Sequence, residues 1–170
     1  PVYNVEQYLA KCLDSLAQQT LKELEVLVVN DGSPDNSQAI IDRFAEEYPG
    51  RIIPLQKENG GQSSARNFAL DSGLVQGEYI GFCDSDDWVD VTMFETMYHQ
   101  AKKEQADIVV CDTVDHYPGG RDVVHHPTDC PKFRQTPSPV NKIYRRELIG
   151  DLRFPVGLWY EDLYFIGCLF

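Results

Sequence analysis

The segment LEVLVVNDGS, residues 24–33, joins an apolar run to a polar tetrapeptide. The run over residues 24–29 is rich in valine and leucine, and such a run bounded by turn-forming residues predicts a buried β-strand. Asn30, Asp31, Gly32 and Ser33 follow at its carboxyl end, and residues of these types commonly form turns. The stretch therefore predicts a buried strand that ends in a polar turn.

Helical and strand patterns alternate on both sides of this segment. Helices are predicted over residues 37–47, 63–72 and 91–104, and around the apolar positions Tyr8, Leu9, Cys12, Leu13 and Leu16. Further strands are predicted over residues 52–55, 79–83 and 108–111. Strands that alternate with helices of this length favour a parallel α/β sheet.

The pattern loosens beyond Asp112, where prolines and glycines interrupt any periodicity: Pro118, Gly119, Gly120, Pro127, Pro131, Pro137 and Pro139. An irregular loop region with short strands is predicted there, and a long loop in a compact domain is often functional. A short helix is predicted near residues 141–146. We therefore divide the chain into a regular part, residues 1–112, and a loop-rich part, residues 113–170, within the same single domain.

Composition indicates one ordinary globular domain, because 42% of the 170 residues are hydrophobic and 25% are charged. The formal net charge of -12 repels free nucleic acid and anionic lipid, so a nucleic-acid partner is not expected. The five cysteines, Cys12, Cys83, Cys111, Cys130 and Cys168, are odd in number and form no CxxC pair. Neither a disulfide framework nor a zinc site is indicated, and reduced thiols of a cytoplasmic protein are expected.

No apolar run in the sequence is long enough to cross a bilayer. The chain begins at Pro1 without a methionine and stops inside the apolar stretch YFIGCLF, residues 164–170. We therefore expect it to be an excerpt of a longer protein.

Three carboxylates, Asp84, Asp86 and Asp87, follow the predicted strand over residues 79–83. Like charges this close repel one another, so another interaction must offset the repulsion. The three residues could form a solvated turn in which aspartate caps a helix. Alternatively, they could hold a divalent cation together with the phosphates that it binds.

Polar clusters mark three predicted strand ends: PVYN at residues 1–4, NDGS at 30–33 and DSDD at 84–87. In parallel α/β sheets, ligands bind at the carboxyl ends of the strands. Residues 59–67, NGGQSSARN, form a glycine-rich turn that opens a helix carrying Arg66, and the backbone amides of such a turn can bind an anion. Each motif alone also has a structural explanation, as a β-turn or a helix start.

The motifs PVYN, NDGS, GGQSSARN and DSDD in this order, with YED at residues 160–162, resemble those of the family 2 glycosyltransferases. These are inverting enzymes of the GT-A fold that use nucleotide sugars, and the resemblance is strongest to the bacterial branch that builds capsule, exopolysaccharide or lipopolysaccharide. The implied fold is a Rossmann-like α/β GT-A fold with a mostly parallel central sheet flanked by helices. That fold is truncated at both ends here, because only Pro1 and Val2 remain of the strand that leads into PVYN in the family.

The resemblance assigns nucleotide binding to the first motifs, including Pro1 and Asn4. Tyr3 would stack on the uracil ring, and Asp31 would accept a hydrogen bond from the base imide. As an alternative, Tyr3 could be an aromatic residue of the core. Arg66 would lie near the base and the diphosphate.

The acidic cluster would complete the donor site. Asp84 would bind the ribose or adjoining ligands, and Asp86 would bind Mn²⁺ or Mg²⁺ bridging the two phosphates. Asp87 would support these residues or cap a helix.

On the acceptor side, the resemblance makes Asp162 the general base, while Glu161 and Trp159 would shape the acceptor pocket. The pair Glu161-Asp162 could instead simply begin a helix, where acidic residues interact favourably with the dipole. Lys142 would support the site or contact phosphate, and the alternative is an exposed surface lysine.

The implied reaction transfers a sugar from a nucleotide sugar, UDP before GDP or dTDP, to a hydroxyl of a growing glycan or lipid-linked acceptor. Residues 1–112 would bind the donor, and residues 113–170 would form acceptor-side loops and the start of C-terminal helices. A cytoplasmic location is expected, at the inner face of the membrane if the missing C-terminal region associates with it peripherally. Two alternatives are a catalytically silent nucleotide-sugar-binding or interaction module and a response-regulator-like signalling domain. The signalling domain is disfavoured because it needs an acidic pair where PVYN stands.

Overall fold

The computed structural model of the chain describes residues 1–117, 119–127 and 137–169. Its helices are α1 (Glu6–Ala17), α2 (Ser37–Glu47), α3 (Gln62–Asp71), α4 (Met93–Glu104), α5 (Arg146–Ile149) and α6 (Glu161–Leu169). Its strands are β1 (Val26–Asp31), β2 (Ile52–Lys57), β3 (Tyr79–Gly81), β4 (Ile108–Val110), β5 (Thr113–Tyr117), β6 (Arg121–His125) and β7 (Lys142–Arg145). The predicted α/β fold is confirmed.

Strands β1 and β2 pair in parallel, with Val26 opposite Ile52 at one end and Asp31 opposite Lys57 at the other. Val2 extends this ladder on the other side of β1, because its amide donates to the Val29 carbonyl at 2.8 Å and its carbonyl accepts from the Asp31 amide at 2.9 Å. The motifs PVYN and NDGS therefore end side by side at one edge of the sheet, as their order in the sequence predicted.

Strand β7 lies between β3 and β4 and runs antiparallel to both. The helix predicted near residues 141–146 is wrong over its main part, since residues 142–145 form this strand and a helix begins at Arg146. The physical reason is burial on both faces of the sheet. Ile143 packs into one apolar cluster with Phe94 and Met97, whereas Tyr144 packs on the opposite side with Phe154 and Phe165.

The loop-rich part contains a hairpin formed by β5 and β6, in which Thr113 pairs with His125 and Tyr117 with Arg121. Gly119 and Gly120 in its turn have φ angles of 92° and 80°, which favour glycine. Short strands in this region were predicted, and the hairpin confirms them. The predicted interruptions at Pro118 and Pro131, and the thiol of Cys130, lie outside the described residues.

Helix α1 joins two layers of the core. Leu9 and Leu13 pack with Val28 of β1 and Ile41 of α2, while Cys12 and Leu16 contact the cluster around α4. Tyr8, which shares their helical spacing, is half exposed. Each fully buried side chain of this size contributes about 1.5–3 kcal/mol through removal from water.

An open cavity of about 750 Å³ lies between β1 and β3, and its lining includes apolar side chains of α1, β1, β3 and α4. The Sγ atoms of Cys12 and Cys83 lie 4.0 Å apart beside it, and both thiols are free. Among the described residues, no helix is both long and apolar enough to cross a membrane.

Candidate functional site

Asp31 ends β1 and organises the glycine-rich turn. The residue is 2% exposed. Its carboxylate accepts hydrogen bonds from the amides of Gly60 at 3.1 Å and Gly61 at 2.7 Å, and it pairs with Lys57 Nζ at 2.6 Å. Two amides that the sequence predicted to be available to an anion are therefore bound to a carboxylate of the protein itself. This arrangement fixes the start of α3.

Close packing explains two glycines of this region. A Cβ atom on Gly60 would lie 2.6 Å from Ser64 Oγ, and one on Gly32 would lie 2.7 Å from the amide nitrogen of Asn59. Gly32 also has a φ angle of 66°, so a side chain there would be strained as well as crowded.

Lys57 was not among the predicted site residues. Its position follows from the parallel register, which sets Lys57 at the end of β2 directly opposite Asp31 at the end of β1. A lysine near the end of an apolar run does not by itself indicate a functional site. The pairing of the ends of β1 and β2 is the signal that could have revealed the role of Lys57.

Tyr3 lies at the same edge and is 51% exposed, so it is not the core aromatic of the alternative explanation. The neighbouring Asn4 amide donates to Ser33 Oγ at 2.8 Å, and Ser33 in turn donates to Asp35. Although burial acts to raise the pKa of Asp35, hydrogen bonds from Ser33, Ser37 and the Glu6 amide hold it well below its ordinary value. Asp35, which sequence reasoning missed, thus fixes PVYN against NDGS while leaving the Tyr3 ring open.

The acidic cluster follows β3, where Asp84 is held in place and Asp86 is exposed. Asp84 Oδ1 accepts from Gln62 Nε2 and from Arg66 Nη2, each at 2.9 Å. Helix α4 begins at Met93, well beyond the cluster, so none of the three aspartates caps it.

Repulsion within the cluster acts on Asp87. Although its side chain is exposed, partial desolvation by the surrounding protein is the first cause that raises its pKa, followed by the charges of Asp86, Asp84 and Asp115. A cation nearby would relieve this repulsion.

A divalent cation fits this cluster in a limited way. In the described ranges, no group of three or more His, Cys, Asp or Glu residues is arranged to hold a metal. Asp86 nevertheless presents one exposed carboxylate, and Mg²⁺ or Mn²⁺ often takes a single protein carboxylate when phosphate and water supply the remaining oxygens. The chemistry therefore fits a cation that arrives together with a diphosphate.

The hairpin β5–β6 lies against the residue that follows the acidic cluster. The ring of His116 stacks on Trp88 with 4.9 Å between centroids, and Lys11 Nζ lies 2.9 Å from the Trp88 ring centroid. Asp115 of the hairpin is close enough to Asp87 to act on its pKa. The β5–β6 hairpin thus lies beside the acidic cluster and borders it on one side.

Glu161 and Asp162 form the first turn of α6, and they also face the site. Asp162 Oδ1 accepts from Arg66 Nη1 at 2.8 Å, and Glu161 Oε1 lies 3.9 Å from the same nitrogen. Burial raises the pKa of Asp162, and the charges of Glu161 and Asp84 raise it further, whereas Arg66 lowers it. The helix-start explanation and the functional one are therefore compatible.

Arg66 was predicted beside the base and diphosphate, and it is found buried between Asp84 and Asp162. Its neighbour Asn67, another residue missed from sequence, donates to the carbonyl of Phe154 at 2.8 Å and accepts from its amide at 2.9 Å. Helix α3 thereby carries contacts to both the acidic cluster and the chain that leads into α6.

Trp159 precedes α6 and is 91% exposed, next to Tyr160, which has a φ angle of 62°.

Lys142 is fully buried in β7, so the alternative of an exposed surface lysine is wrong. Its Nζ donates to the Ser138 carbonyl at 2.7 Å and to Asn141 Oδ1 at 2.6 Å. Burial lowers the pKa of Lys142 to about 8.

The predicted residues therefore fall into two neighbouring groups. Arg66 joins Asp84 to Glu161 and Asp162. Asp31 and the PVYN residues gather at the ends of β1 and β2. Trp159 is exposed, and Asp86 and Asp87 are exposed at the turn beyond Asp84.

A mixed α/β fold with polar groups at the carboxyl ends of its strands is shared with known enzymes. The family model described as "Glycosyl transferase family 2" matches residues 1–156. The chain belongs to this family.

Three comparisons illustrate the relationship. Glycosyltransferase GlyA of Streptococcus pneumoniae is 49% identical over 110 residues, which is 65% of this chain and 15% of GlyA. The minor teichoic acid biosynthesis protein GgaB of Bacillus subtilis is 41% identical over 113 residues, which is 64% of this chain and 12% of GgaB. The crystal structure of S. aureus TarS residues 1–349 with UDP-GlcNAc superposes with a TM-score of 0.84 at 29% identity, covering 99% of this chain and 51% of that one. The chain thus spans a minor part of these two curated relatives and about half of the TarS structure.

Proposed function

We propose that this chain carries the donor site and the catalytic base of an inverting, metal-assisted glycosyltransferase. The observation that carries the proposal is the pair of contacts made by Arg66, at 2.9 Å to Asp84 and 2.8 Å to Asp162. They bring the acidic motif after β3 and the acidic pair of α6 into one cluster. A donor-side group and a candidate base must be neighbours if the base is to act where the donor is bound.

We propose a uridine diphosphate sugar as donor. The TarS structure was solved with UDP-GlcNAc, and it is similar to this chain over 99% of its length. In this chain the exposed ring of Tyr3 is available for stacking on a base. Asp31, at the end of β1 beside PVYN, would accept a hydrogen bond from the base imide. Residues 1–112 would form this donor half.

Asp86 would hold Mn²⁺ or Mg²⁺ together with the donor diphosphate. When bound, such a cation neutralises charge that develops on the leaving nucleoside diphosphate. Asp84 is already held by Gln62 and Arg66, so its second oxygen is the one left to contact the ribose.

Asp162 would accept the proton of the acceptor hydroxyl as that oxygen attacks the anomeric carbon. The new carbon–oxygen bond forms while the bond to the diphosphate breaks, and attack from the opposite face inverts the configuration. The pKa of Asp162 is raised above its ordinary value, chiefly by burial, and a more basic carboxylate is a better proton acceptor.

We propose a growing glycan or a lipid-linked sugar as acceptor, bound by residues 113–170. Trp159 offers an exposed aromatic face, and Glu161 lies beside the base. The similarity to GgaB, a minor teichoic acid biosynthesis protein, supports a role in making a polymer. We place this reaction in the cytoplasm, at the inner face of the membrane.

A thermal-shift screen tests the donor assignment. UDP, UDP-sugars, GDP-mannose and dTDP-glucose are compared with and without Mn²⁺, since a ligand that binds the native state raises the melting temperature. We expect a Mn²⁺-dependent rise with UDP compounds that exceeds the rise with the others. Slow hydrolysis of the stabilising UDP-sugar would then separate an enzyme from a silent binding module, whereas equal shifts with all nucleotides would contradict the UDP assignment.

A further inference from the structure

The guanidinium of Arg66 lies between carboxylates from two distant parts of the chain. Asp84 follows β3 and Asp162 belongs to the first turn of α6, and each accepts from a different terminal nitrogen of Arg66. The Arg66 side chain is 1% exposed, whereas those of Asp84 and Asp162 are 30% and 29% exposed. The Arg66 guanidinium is therefore enclosed by protein, and the two carboxylates that it binds are partly exposed at the surface of the site.

The planar fork of an arginine suits this geometry, because it presents separate donors in fixed directions and stays charged when buried. The guanidinium carbon also lies 5.0 Å from the centre of the Phe154 ring. The backbone of Phe154 is bound by Asn67, the residue next to Arg66. Helix α3 thus fixes both the arginine and the segment that delivers Asp162.

We propose that Arg66 is a positioning residue that holds Asp162 and Asp84 in a fixed relation, and that it thereby couples the donor side of the site to the candidate base. This inference rests on the proposed function, in which Asp162 is the base and Asp84 serves the donor. Arg66 itself is enclosed, so in this arrangement it acts through the two carboxylates rather than on the diphosphate.

The coupling has a simple electrostatic origin. One positive charge is shared by two carboxylates, so a change in the charge of Asp84 alters how strongly Arg66 acts on Asp162. The other groups that act electrostatically with Asp162 are Glu161, which raises its pKa, and Lys142 and Tyr144 of β7. None of these bridges Asp162 to Asp84 as the two terminal nitrogens of Arg66 do.

Two substitutions should move the titration of Asp162 in opposite directions. Arg66→Gln removes the positive charge, so the midpoint should rise by about 1–3 pH units. Asp84→Asn leaves the charge of Arg66 to Asp162 and removes a neighbouring negative charge, so the midpoint should fall. Because the charge of Asp84 also acts directly on Asp162, the Asp84→Asn shift is measured in the Arg66→Gln background as well: coupling through Arg66 predicts a smaller shift there, and a direct effect of Asp84 alone predicts an equal one.

The experiment is a ¹³C NMR titration of the aspartate carboxyl groups, with the Asp162 signal assigned by its loss in Asp162→Asn. The matched control is Arg153→Gln, because Arg153 pairs with Asp71 on the same helix α3. The control should leave the Asp162 midpoint unchanged. If Arg66→Gln does not fold, Arg66→Lys takes its place as the background, because lysine keeps the charge but lacks the two-pronged fork that binds both carboxylates.

The proposal is overturned if Asp84→Asn shifts the Asp162 midpoint equally with and without Arg66, or if it leaves the midpoint of the parent where it was or raises it. The proposed function fails by a different result, full transfer activity of Asp162→Asn, which would leave the measured coupling intact. In the active enzyme, the acidic limb of the pH–rate profile should move in the same direction as the NMR midpoint for each variant.

Discussion

Lys57 Nζ lies 2.6 Å from Asp31 Oδ1, where β1 and β2 end side by side. The carboxylate also binds the amides of Gly60 and Gly61, so three donors converge on one buried group. This relationship joins two strands and the start of a helix through a single side chain.

Asp31→Ala should therefore destabilise the fold as well as weaken nucleotide binding. It leaves a partly buried ammonium and two amides without their acceptor, and breaking such a pair costs about 3–5 kcal/mol. Lys57→Met should lower the unfolding free energy by less, because the amides of Gly60 and Gly61 still donate to the Asp31 carboxylate. Urea denaturation of both variants measures the difference, and equal losses of unfolding free energy would argue against a central role for the carboxylate.

The uridine contact of Asp31 needs a milder change to be measured. In Asp31→Asn, the amide oxygen can still accept from the Gly61 amide, while the charge opposite the base imide is gone. Affinity for UDP should fall by about 1–3 kcal/mol, the range for a hydrogen bond to a charged group. Calorimetry with UDP and GDP checks this, and equal losses for both nucleotides would show that the change acts through folding instead.

Asp86→Ala should abolish Mn²⁺-dependent binding of UDP without lowering stability. The residue is exposed, and its removal relieves repulsion on Asp87, whose pKa should fall towards its ordinary value. Glu46→Ala, which removes an exposed carboxylate of α2, is the control. Retention of Mn²⁺-dependent affinity in calorimetry would remove Asp86 from the cation site.

Asp162→Asn should separate catalysis from binding. Asparagine has nearly the same shape but cannot take the acceptor proton, so transfer should fall by about two to four orders of magnitude at almost unchanged donor affinity. Glu161→Gln should have the smaller effect, mainly through the acceptor. Initial rates at saturating donor, measured in the longer protein beside calorimetric donor affinity, compare the two variants. A larger loss of transfer rate in Glu161→Gln than in Asp162→Asn would show that the base has been assigned to the wrong residue.

The stability of the fold depends on pH through the ionisation of Asp35. Its pKa in the folded chain is held below the ordinary value of 3.8 by the hydrogen bonds that Ser33, Ser37 and the Glu6 amide donate. The stabilisation is therefore fully present above the unfolded pKa, and it is lost as the pH falls from about 5 through the folded pKa. The gap in unfolding free energy between the parent and Asp35→Asn should narrow on acidification. Denaturant titrations at a series of pH values measure it, and a constant gap would contradict the assignment.

Much of the fold could be predicted because local patterns and tertiary packing agree in it. Helix α2 occupies the residues that its apolar spacing indicated, and β1 overlaps the predicted run but begins and ends two residues later, so Asn30 and Asp31 belong to the strand and not to the turn. Strand β7 could not be predicted in this way. Its lysine, isoleucine and tyrosine have no strand-like alternation, and the strand state comes from pairing with β3 and β4 on both sides.

The site shows a similar division. The motif order indicated which segments converge, but it could not indicate which charges pair with one another. Arg66 was expected to face an anionic ligand, and the fold brings two carboxylates of the protein to it instead. Lys57 and Asp35 were missed because their partners become apparent once strand register and turn geometry are known.

The cavity between β1 and β3 makes this part of the molecule sensitive to hydrostatic pressure. The apolar side chains around this space of about 750 Å³ pack incompletely, and pressure favours states in which water enters such space. The side chains of Cys12 and Cys83 line it and are natural reporters of that response.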